Sequence, residues 1–215
     1  TNSSPISTST FQNIYPVQLE NISLEKEGQV LLSPLSMHIK KGEKIAIIGE
    51  SGSGKTTLLN IIHGELAATS GRIAFAGQSL SRQEITSVSS YILQDSHYFD
   101  TLSLEDNILL GMTKKQERLN HILKTTGLEH LKNRTLSNDS LSGGEKQRLE
   151  IARALYHDSQ LILADEIKAN LDLENSKKIS DLLFSLPQTV IEVIHHYTDE
   201  DLKRYDQVIH LSKEK

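Results

Sequence analysis

Hydrophobic residues along the chain fall into short runs separated by longer amphipathic stretches. Residues 45–48 and 161–164 are uninterrupted apolar runs of strand length, which predicts strands buried on both faces of a parallel sheet. Residues 17–24 alternate between apolar and polar side chains, which predicts a strand with one face in solvent. Residues 30–39 are predicted to form a second strand beside it.

The rest of the pattern predicts helices that alternate with further strands. Strands are predicted at residues 72–76, 90–93, 189–194 and 207–211, and helices at residues 55–65, 142–156 and 173–185. The stretch between residues 95 and 139 is more polar, with predicted helices at 104–110, 115–126 and 128–132, which indicates an inserted helical lobe. Strands that alternate with helices predict an α/β fold with a mostly parallel sheet.

Composition and charge narrow the class of protein. The 215 residues suit one domain with a small lobe. The formal net charge of −5, without a run of basic residues, argues against a nucleic-acid partner. The chain has no cysteine, and no apolar stretch approaches the roughly 20 residues that a membrane span requires. Residues 1–15, which open with mostly Ser and Thr, are predicted to be a flexible leader or linker, and residues 16–215 the domain.

A glycine-rich stretch at residues 49–57 is the first candidate for chemistry. It reads G-E-S-G-S-G-K-T-T, and its first eight residues fit G-x-x-x-x-G-K-[ST] between a predicted strand and a predicted helix. Glycines let successive backbone N–H groups face an anion at the positive end of a helix. Lys55 would bring a charge to terminal phosphates, and Thr56 would offer a hydroxyl ligand to Mg²⁺. The predicted nucleotide-binding residues here are Gly49, Ser51, Gly52, Ser53, Gly54, Lys55, Thr56 and Thr57. The alternative is a turn that only links strand to helix.

Two acidic residues follow the apolar run at residues 161–164. Parallel α/β sheets place ligands at the carboxyl ends of their strands, where Asp165 is predicted to hold Mg²⁺ beside Thr56. Glu166, one residue later, is predicted to polarise the attacking water as general base. The alternative is a strand that ends in two solvated acids.

The octet at residues 141–148, L-S-G-G-E-K-Q-R, is the second distinctive motif. A serine that caps a helix, followed by two glycines, exposes N–H donors to an anion. The alternative is an ordinary capped helix. Beside the phosphate loop, the octet resembles the signature motif of the ATP-binding-cassette (ABC) ATPases, and the resemblance runs in the expected order from about residue 17 to residue 211.

The resemblance to ABC ATPases implies a fold and a way of binding ATP. The implied fold is an α/β P-loop NTPase (RecA-like) core with a mostly parallel sheet, an N-terminal antiparallel β subdomain and an inserted α-helical subdomain at about residues 95–150. In the family, the signature closes over the γ-phosphate of ATP held by the opposite subunit, so Ser142, Gly143 and Gly144 are expected to act in trans.

The resemblance also assigns roles to single residues. Gln94 is similar to the Q-loop glutamine and would sense Mg²⁺ and the γ-phosphate. His196 matches the switch histidine that supports Glu166, with its neighbour His195 as the open alternative, and Asp172 matches the last residue of the D-loop. The predicted catalytic residues are therefore Glu166, His196, Lys55 and Gln94, and the predicted metal ligands Thr56, Gln94 and Asp165.

Several positions depart from the family pattern. Lys26 stands where an aromatic side chain usually stacks on adenine, and Tyr15 is only a weak substitute. The usual proline, threonine, serine and glutamine near the catalytic motifs are replaced by Ile167, Lys168, Ala169 and Glu145. Residues 99–108 resemble the corresponding stretch of exporter-type members.

These features predict an ATP-hydrolysing domain that dimerises around ATP and Mg²⁺, with itself or with a related ATPase domain. Its further partner would be the transmembrane domain of an ABC transporter, which would place it at the cytoplasmic side of the cell membrane, and export is the favoured direction. An alternative is a soluble ABC-type ATPase that acts on ribosomes or DNA. A metabolic kinase with a phosphate loop is a third reading, but it leaves residues 141–148 unexplained.

Overall fold

The computed structural model describes residues 13–95, 97–137 and 140–213. The described strands are β1 (Val17–Lys26), β2 (Gln29–Ile39), β3 (Lys44–Gly49), β4 (Ser70–Phe75), β5 (Ser89–Leu93), β6 (Leu161–Asp165), β7 (Thr189–Val193) and β8 (Gln207–Leu211). The described helices are α1 (Lys55–Ile62), α2 (Arg82–Val88), α3 (Leu104–Leu109), α4 (Gln116–Thr125), α5 (Gly143–Tyr156), α6 (Leu173–Ser185) and α7 (Asp199–Leu202), with a 3-10 turn at Glu129–Leu131.

A five-stranded parallel sheet in the order β5-β6-β7-β3-β8 forms the centre of the domain. All residues of β6 are buried, as its apolar run predicts for a strand covered on both faces, and all residues of β7 are buried as well. Leu93 of β5 pairs with Asp165 of β6, and Asp165 in turn pairs with Val193 of β7. The carboxyl ends of these strands therefore meet at one edge, where the predicted site residues follow them.

A second, antiparallel sheet in the order β2-β1-β4 packs over the same core. Its inward side chains share one hydrophobic cluster with α1 and with the central strands. Ile14 and Tyr15 belong to this cluster, with exposed fractions of 1% and 7%. The predicted leader at residues 1–15 is corrected accordingly, because its last residues are part of the packed domain. Residues 1–12 lie outside the described residues.

The helical lobe has a hydrophobic core of its own. Side chains of α3, α4, the 3-10 turn and α5 form a cluster that includes Leu104, Leu119, Leu123, Leu149 and Tyr156. The Tyr156 hydroxyl donates to the Thr113 carbonyl at 2.8 Å, so α5 is bound into the lobe to its last residue. The lobe thus continues to residue 156, beyond the predicted limit of about 150.

The predicted α/β class with a parallel core, an antiparallel sheet and a helical lobe is confirmed. Two short helices, α2 and α7, were not predicted from the hydrophobic pattern. Each begins with a capping box, Ser81 with Glu84 and Thr198 with Asp201, and this local signal could have revealed them. Helix α1 ends at Ile62 rather than at residue 65, because Gly64 adopts a left-handed conformation with φ of 79°.

Across the described ranges, none of the helices combines the length and the apolar character that crossing a bilayer demands.

Candidate functional site

The phosphate loop is a compact turn whose glycines are sterically required. Gly49 ends β3 with φ of 153°, and a Cβ atom there would lie 2.2 Å from the Leu211 carbonyl oxygen. Gly54, the N-cap of α1, has φ of 94°, and a Cβ atom there would lie 2.5 Å from the Leu31 carbonyl oxygen. Carbonyl groups of neighbouring strands thus leave no space for a side chain at either end of the loop, so that only glycine fits at these two positions.

Lys55 spans the inside of the loop. Its ammonium group donates to the carbonyls of Gly49 and Glu50, both at 2.8 Å, and the residue is buried. The buried Ser53 hydroxyl has no hydrogen-bond partner in the described part of the chain. An unpaired hydroxyl, a buried ammonium and a helix N-terminus fit a bound phosphate group, which would supply the missing partner. Of the other predicted loop residues, Ser51, Gly52 and Thr56 are exposed and Thr57 is half-buried.

Thr56 and Asp165, the two predicted Mg²⁺ ligands on α1 and β6, lie side by side. The Thr56 hydroxyl donates to Asp165 Oδ2 at 2.9 Å. Tyr91 of β5 donates to the same oxygen at 3.0 Å. Burial and the adjacent Asp165 carboxylate raise the pKa of Tyr91, so it remains a donor at physiological pH. Hydroxyl and carboxylate oxygens are the ligands that Mg²⁺ prefers, so this pair could hold the ion.

Tyr91→Phe tests whether Tyr91 orients the Asp165 carboxylate. Groups that orient a metal ligand affect metal affinity by about 10–100-fold, so we expect the Mg²⁺ concentration for half-maximal ATP turnover to rise about tenfold. Mg²⁺ titration at saturating ATP is the measurement. Tyr98→Phe is the matched control, because the Tyr98 hydroxyl donates to the Ser137 carbonyl within the helical lobe. An equal Mg²⁺ requirement in both variants and the unaltered protein would contradict this role.

Glu166 sits at a bend directly after Asp165. It has a left-handed backbone with φ of 53°, and its N–H donates to the Val193 carbonyl at the end of β7 at 3.1 Å. Glu166, His195 and His196 line one cavity of about 520 Å³. The two imidazole rings are stacked, 4.8 Å apart, and both histidines are exposed. The predicted base and both candidate switch histidines therefore line the same cavity, and the choice of His196 stays a prediction.

Gln94 follows β5 and is held by the signature helix. Gln147 of α5 is buried and donates through Nε2 to the Gln94 carbonyl at 2.7 Å and to the Leu93 carbonyl at 3.3 Å. This main-chain link connects the strand edge with the helical lobe. The role of the Gln94 side chain at Mg²⁺ and the γ-phosphate stays a prediction.

The signature residues form the exposed start of α5. Ser142 accepts a hydrogen bond from the Glu145 N–H at 3.2 Å, and the Ser142 N–H donates to Glu145 Oε2 at 2.8 Å. Gly144 is buried against α6, where a Cβ atom would lie 2.6 Å from Asn175 Oδ1, whereas Ser142 and Gly143 are exposed. Within the described ranges, the hydrogen bonds of Ser142 stay in the first turn of α5 and do not reach the phosphate loop.

Comparison with known proteins identifies the family of the chain. A family model described as ABC transporter matches residues 32–169, more than half of the sequence. The chain belongs to the ABC transporter ATP-binding domain family. Members of this family are ATPases that bind ATP and pair with the transmembrane components of transporters.

The relatives of this ABC domain are named for different kinds of transport. The spermidine/putrescine import ATP-binding protein PotA of Mycoplasma mycoides is 35% identical over 209 residues, which cover 90% of this chain and 58% of PotA. The lactococcin-A transport/processing ATP-binding protein LcnC of Lactococcus lactis is 35% identical over 183 residues, which cover 78% of this chain and 25% of LcnC. The structure of cbiO1 from Clostridium perfringens, described as part of the ABC transporter complex cbiONQ, matches with a TM-score of 0.81 at 28% identity, covering 93% of this chain and 84% of cbiO1. The chain thus spans about 58% of the length of the first relatives it matches.

The two residues considered for adenine stacking, Lys26 and Tyr15, differ in their exposure. Lys26 is exposed at the end of β1, paired with Gln29 at the tip of a hairpin. Tyr15, the other candidate for adenine stacking, is buried, and its hydroxyl donates to the Gln160 carbonyl at 2.7 Å. Little of the Tyr15 ring is therefore accessible to a nucleotide.

Three residues that the sequence reasoning missed contribute to the ABC site: Tyr91, Gln147 and Glu192. Tyr91 donates to Asp165, and Gln147 donates to the Gln94 main chain. Glu192 forms an ion pair with Lys168, which is two residues after Glu166. Glu192 carried a signal, because a carboxylate inside an otherwise apolar buried strand needs a partner. Tyr91 and Gln147 occupy positions typical of ordinary strand and helix residues, so their contacts had no local signal.

Proposed function

We propose that this ABC domain binds ATP with Mg²⁺, pairs with a second ATPase domain around two ATP molecules and hydrolyses them to drive a transmembrane transport component. The observation that carries the proposal is the meeting of Thr56 and Asp165, 2.9 Å apart, beside the glycine loop that Lys55 spans. This arrangement provides an anion cradle and hard oxygen ligands in one place.

Hydrolysis on this proposal is an in-line attack of water on the γ-phosphorus. Glu166 accepts the water proton while the bond between the γ-phosphorus and the bridging oxygen breaks, which leaves ADP and phosphate. Lys55 interacts with the charge on the terminal phosphates, and His196, or its neighbour His195, supports Glu166. Mg²⁺ held by Thr56 and Asp165, with Gln94 as a further ligand, supplies additional charge neutralisation when bound.

The start of α5 supports pairing with a second protomer, because its first backbone donors do not reach the phosphate loop in the described part of the chain. The Glu145 N–H is already bonded to the Ser142 hydroxyl, so the N–H groups of Gly143 and Gly144 are the first-turn donors without a partner along the helix. These donors lie at the positive end of a 14-residue helix, where Gly143 is exposed and Gly144 is buried. A γ-phosphate bound by the other protomer fits these donors.

A transmembrane partner is supported by the distribution of exposed apolar side chains. Nine large hydrophobic side chains are exposed within the described ranges, and five of them are Leu93, Phe99, Leu102, Leu110 and Met112, around the Q-loop and α3. Concentrated exposed apolar surface marks protein contacts. A groove of about 350 Å³ next to this surface, lined by Tyr91 and Arg153 among others, would receive the partner. The domain would then work at the cytoplasmic side of the membrane.

Export is the direction of transport that we propose. The support is the resemblance of residues 99–108 to exporter-type members. Overall identity favours neither direction, because PotA, named for import, and LcnC, named for transport and processing, are both 35% identical to this chain.

Nucleotide-dependent pairing is the experiment that tests this function. We expect the chain to be monomeric without nucleotide and to form a dimer with ATP when hydrolysis is blocked. The reason is that the negative phosphates of ATP bound to one protomer would meet the backbone donors at the start of α5 in the other protomer. Light scattering after size exclusion, with and without ATP and Mg²⁺, measures the mass. A stable dimer without nucleotide, or no association at saturating ATP, would contradict the proposal.

A further inference from the structure

Glu192 is a carboxylate buried in the central sheet. It lies on β7, between β6 and β3, and its side chain is 2% exposed. A carboxylate removed from water is strongly unfavourable unless a positive charge and hydrogen-bond donors compensate it. The groups that contact Glu192 must therefore compensate its negative charge.

Lys168 supplies the compensating charge. Its ammonium nitrogen lies 2.8 Å from Glu192 Oε1 and donates to the Ser180 hydroxyl at 2.9 Å. Oε1 accepts no well-aligned hydrogen bond in the described part of the chain, so the ammonium charge is its main compensation. Tyr205 donates to the other oxygen, Oε2, at 2.5 Å. Burial and the Glu192 carboxylate raise the pKa of Tyr205, which keeps it protonated.

The ion pair connects the two halves of the proposed hydrolytic site. Lys168 is in the turn that begins at Glu166, and Glu192 is three residues before His195. Within the described residues, the Glu166 N–H also donates to the Val193 carbonyl, which continues the β6–β7 pairing past Asp165. Lys168, Glu192 and both histidines line the same cavity of about 520 Å³ as Glu166.

We propose that the Lys168–Glu192 ion pair is a positioning device that holds the Glu166 turn in register with the histidine segment. The inference rests on the proposed ATPase function. The buried Ile167 side chain and the main-chain bond to Val193 anchor the start of the turn, and the ion pair adds an attachment through the Lys168 side chain. The orientation of the turn is therefore defined on its Lys168 side by this ion pair. The phosphate loop lies outside this linkage, so loss of the pair affects turnover and leaves ATP binding in place.

Steady-state ATPase kinetics of Lys168→Met test the proposal. We expect kcat to fall about 10–100-fold, because small misplacement of a reacting group has effects of this size, while the KM for ATP stays within about twofold. Lys168→Arg keeps the charge and is expected to retain most of kcat. Lys177→Met is the matched control, since Lys177 lines the same cavity with a side chain that is 74% exposed, and it is expected to match the unaltered protein.

A double variant separates positioning from simple support of the fold. Lys168→Met with Glu192→Gln removes both charges and keeps an acceptor oxygen for the Tyr205 hydroxyl, so its melting temperature is expected to be near that of the unaltered protein. Its kcat is expected to stay low, because the uncharged contact does not set one orientation of the turn. A kcat that follows the melting temperature across all variants would overturn the proposal, as would an unchanged kcat in Lys168→Met.

Hydrogen exchange of the nucleotide-free protein tests the linkage without turnover. Lys168→Met is expected to speed amide exchange in residues 166–172 and 194–198, and Lys177→Met is not. This readout keeps two failures apart. If exchange in Lys168→Met is unchanged, the linkage is refuted and the ATPase function is not. If Lys168→Met speeds exchange but the unaltered protein does not hydrolyse ATP, the ATPase function is refuted and the linkage is not.

Discussion

Glu166→Gln is expected to lower ATP turnover by about 10²–10⁴-fold, or about 3–5 kcal/mol of activation free energy, while ATP binding persists. Glutamine has the shape of glutamate but cannot accept the water proton. The backbone of residue 166, with its hydrogen bond to the Val193 carbonyl, does not depend on the carboxylate. The ATP-bound dimer should therefore accumulate, and phosphate release together with size exclusion measures both effects.

Glu117→Gln is the control for this substitution. Glu117 is an exposed carboxylate in the first turn of α4, inside the helical lobe, and its replacement should leave turnover unchanged. If Glu166→Gln hydrolyses ATP at the rate of the unaltered protein, Glu166 is not the base. Slow turnover without an ATP-bound dimer would instead contradict pairing as the step before hydrolysis.

Mixing two inactive variants is expected to restore ATP turnover. Lys55→Met damages the phosphate loop, and Gly143→Glu places a carboxylate where a γ-phosphate should bind. Each alone should lower turnover by about 10²-fold or more. Gly143 is exposed, Ser142 remains to cap α5, and a Cβ atom at residue 143 would meet only the Leu171 side chain, at 3.0 Å, which can shift, so Gly143→Glu should fold. In a mixed dimer, one of the two sites combines an intact phosphate loop from one protomer with an intact signature from the other. About half of the dimers in an equal mixture are mixed, so the mixture should recover about a quarter of the original rate.

Lys55→Met mixed with Glu166→Gln is the matched control for this experiment. Lys55 in the phosphate loop and Glu166 at the end of β6 belong to the part of each site that one protomer contributes. Each site of a mixed dimer therefore contains one of the two substitutions, and neither is intact. No recovery is expected from this pair. Recovery in the control, or none with Gly143→Glu, would show that the signature does not act on the nucleotide of the opposite protomer.

The local motifs of this chain were predictable because their parts are close in sequence. The phosphate loop follows a strand and begins a helix within nine residues, and the Ser142–Glu145 capping box closes within one turn. The apolar run before Asp165 indicated a buried parallel strand, and the structure has it. The predicted leader extended too far because composition does not reveal that Ile14 and Tyr15 fill the core.

Contacts between segments that are distant in the chain could not be predicted from the hydrophobic pattern. Thr56 and Asp165 are 109 positions apart, and Tyr91 and Asp165 are 74 apart, yet each pair forms a hydrogen bond. Gly144 had been noted as a donor to phosphate, but the structure also requires it for the close packing of α5 on Asn175. Hydrophobic periodicity gives the type of each element and not the order of strands in a sheet.

The class of fold, the phosphate loop, the acidic pair after β6 and the capped start of α5 could be read from the amino-acid order, because each depends on residues within a few positions of one another. The folded arrangement was needed to show that Tyr91 supports Asp165, that Gln147 joins Gln94 to the helical lobe and that Lys168 compensates Glu192. These contacts arise where parallel strands end side by side, and strand order is set by the packing of the whole core rather than by any local run of residues.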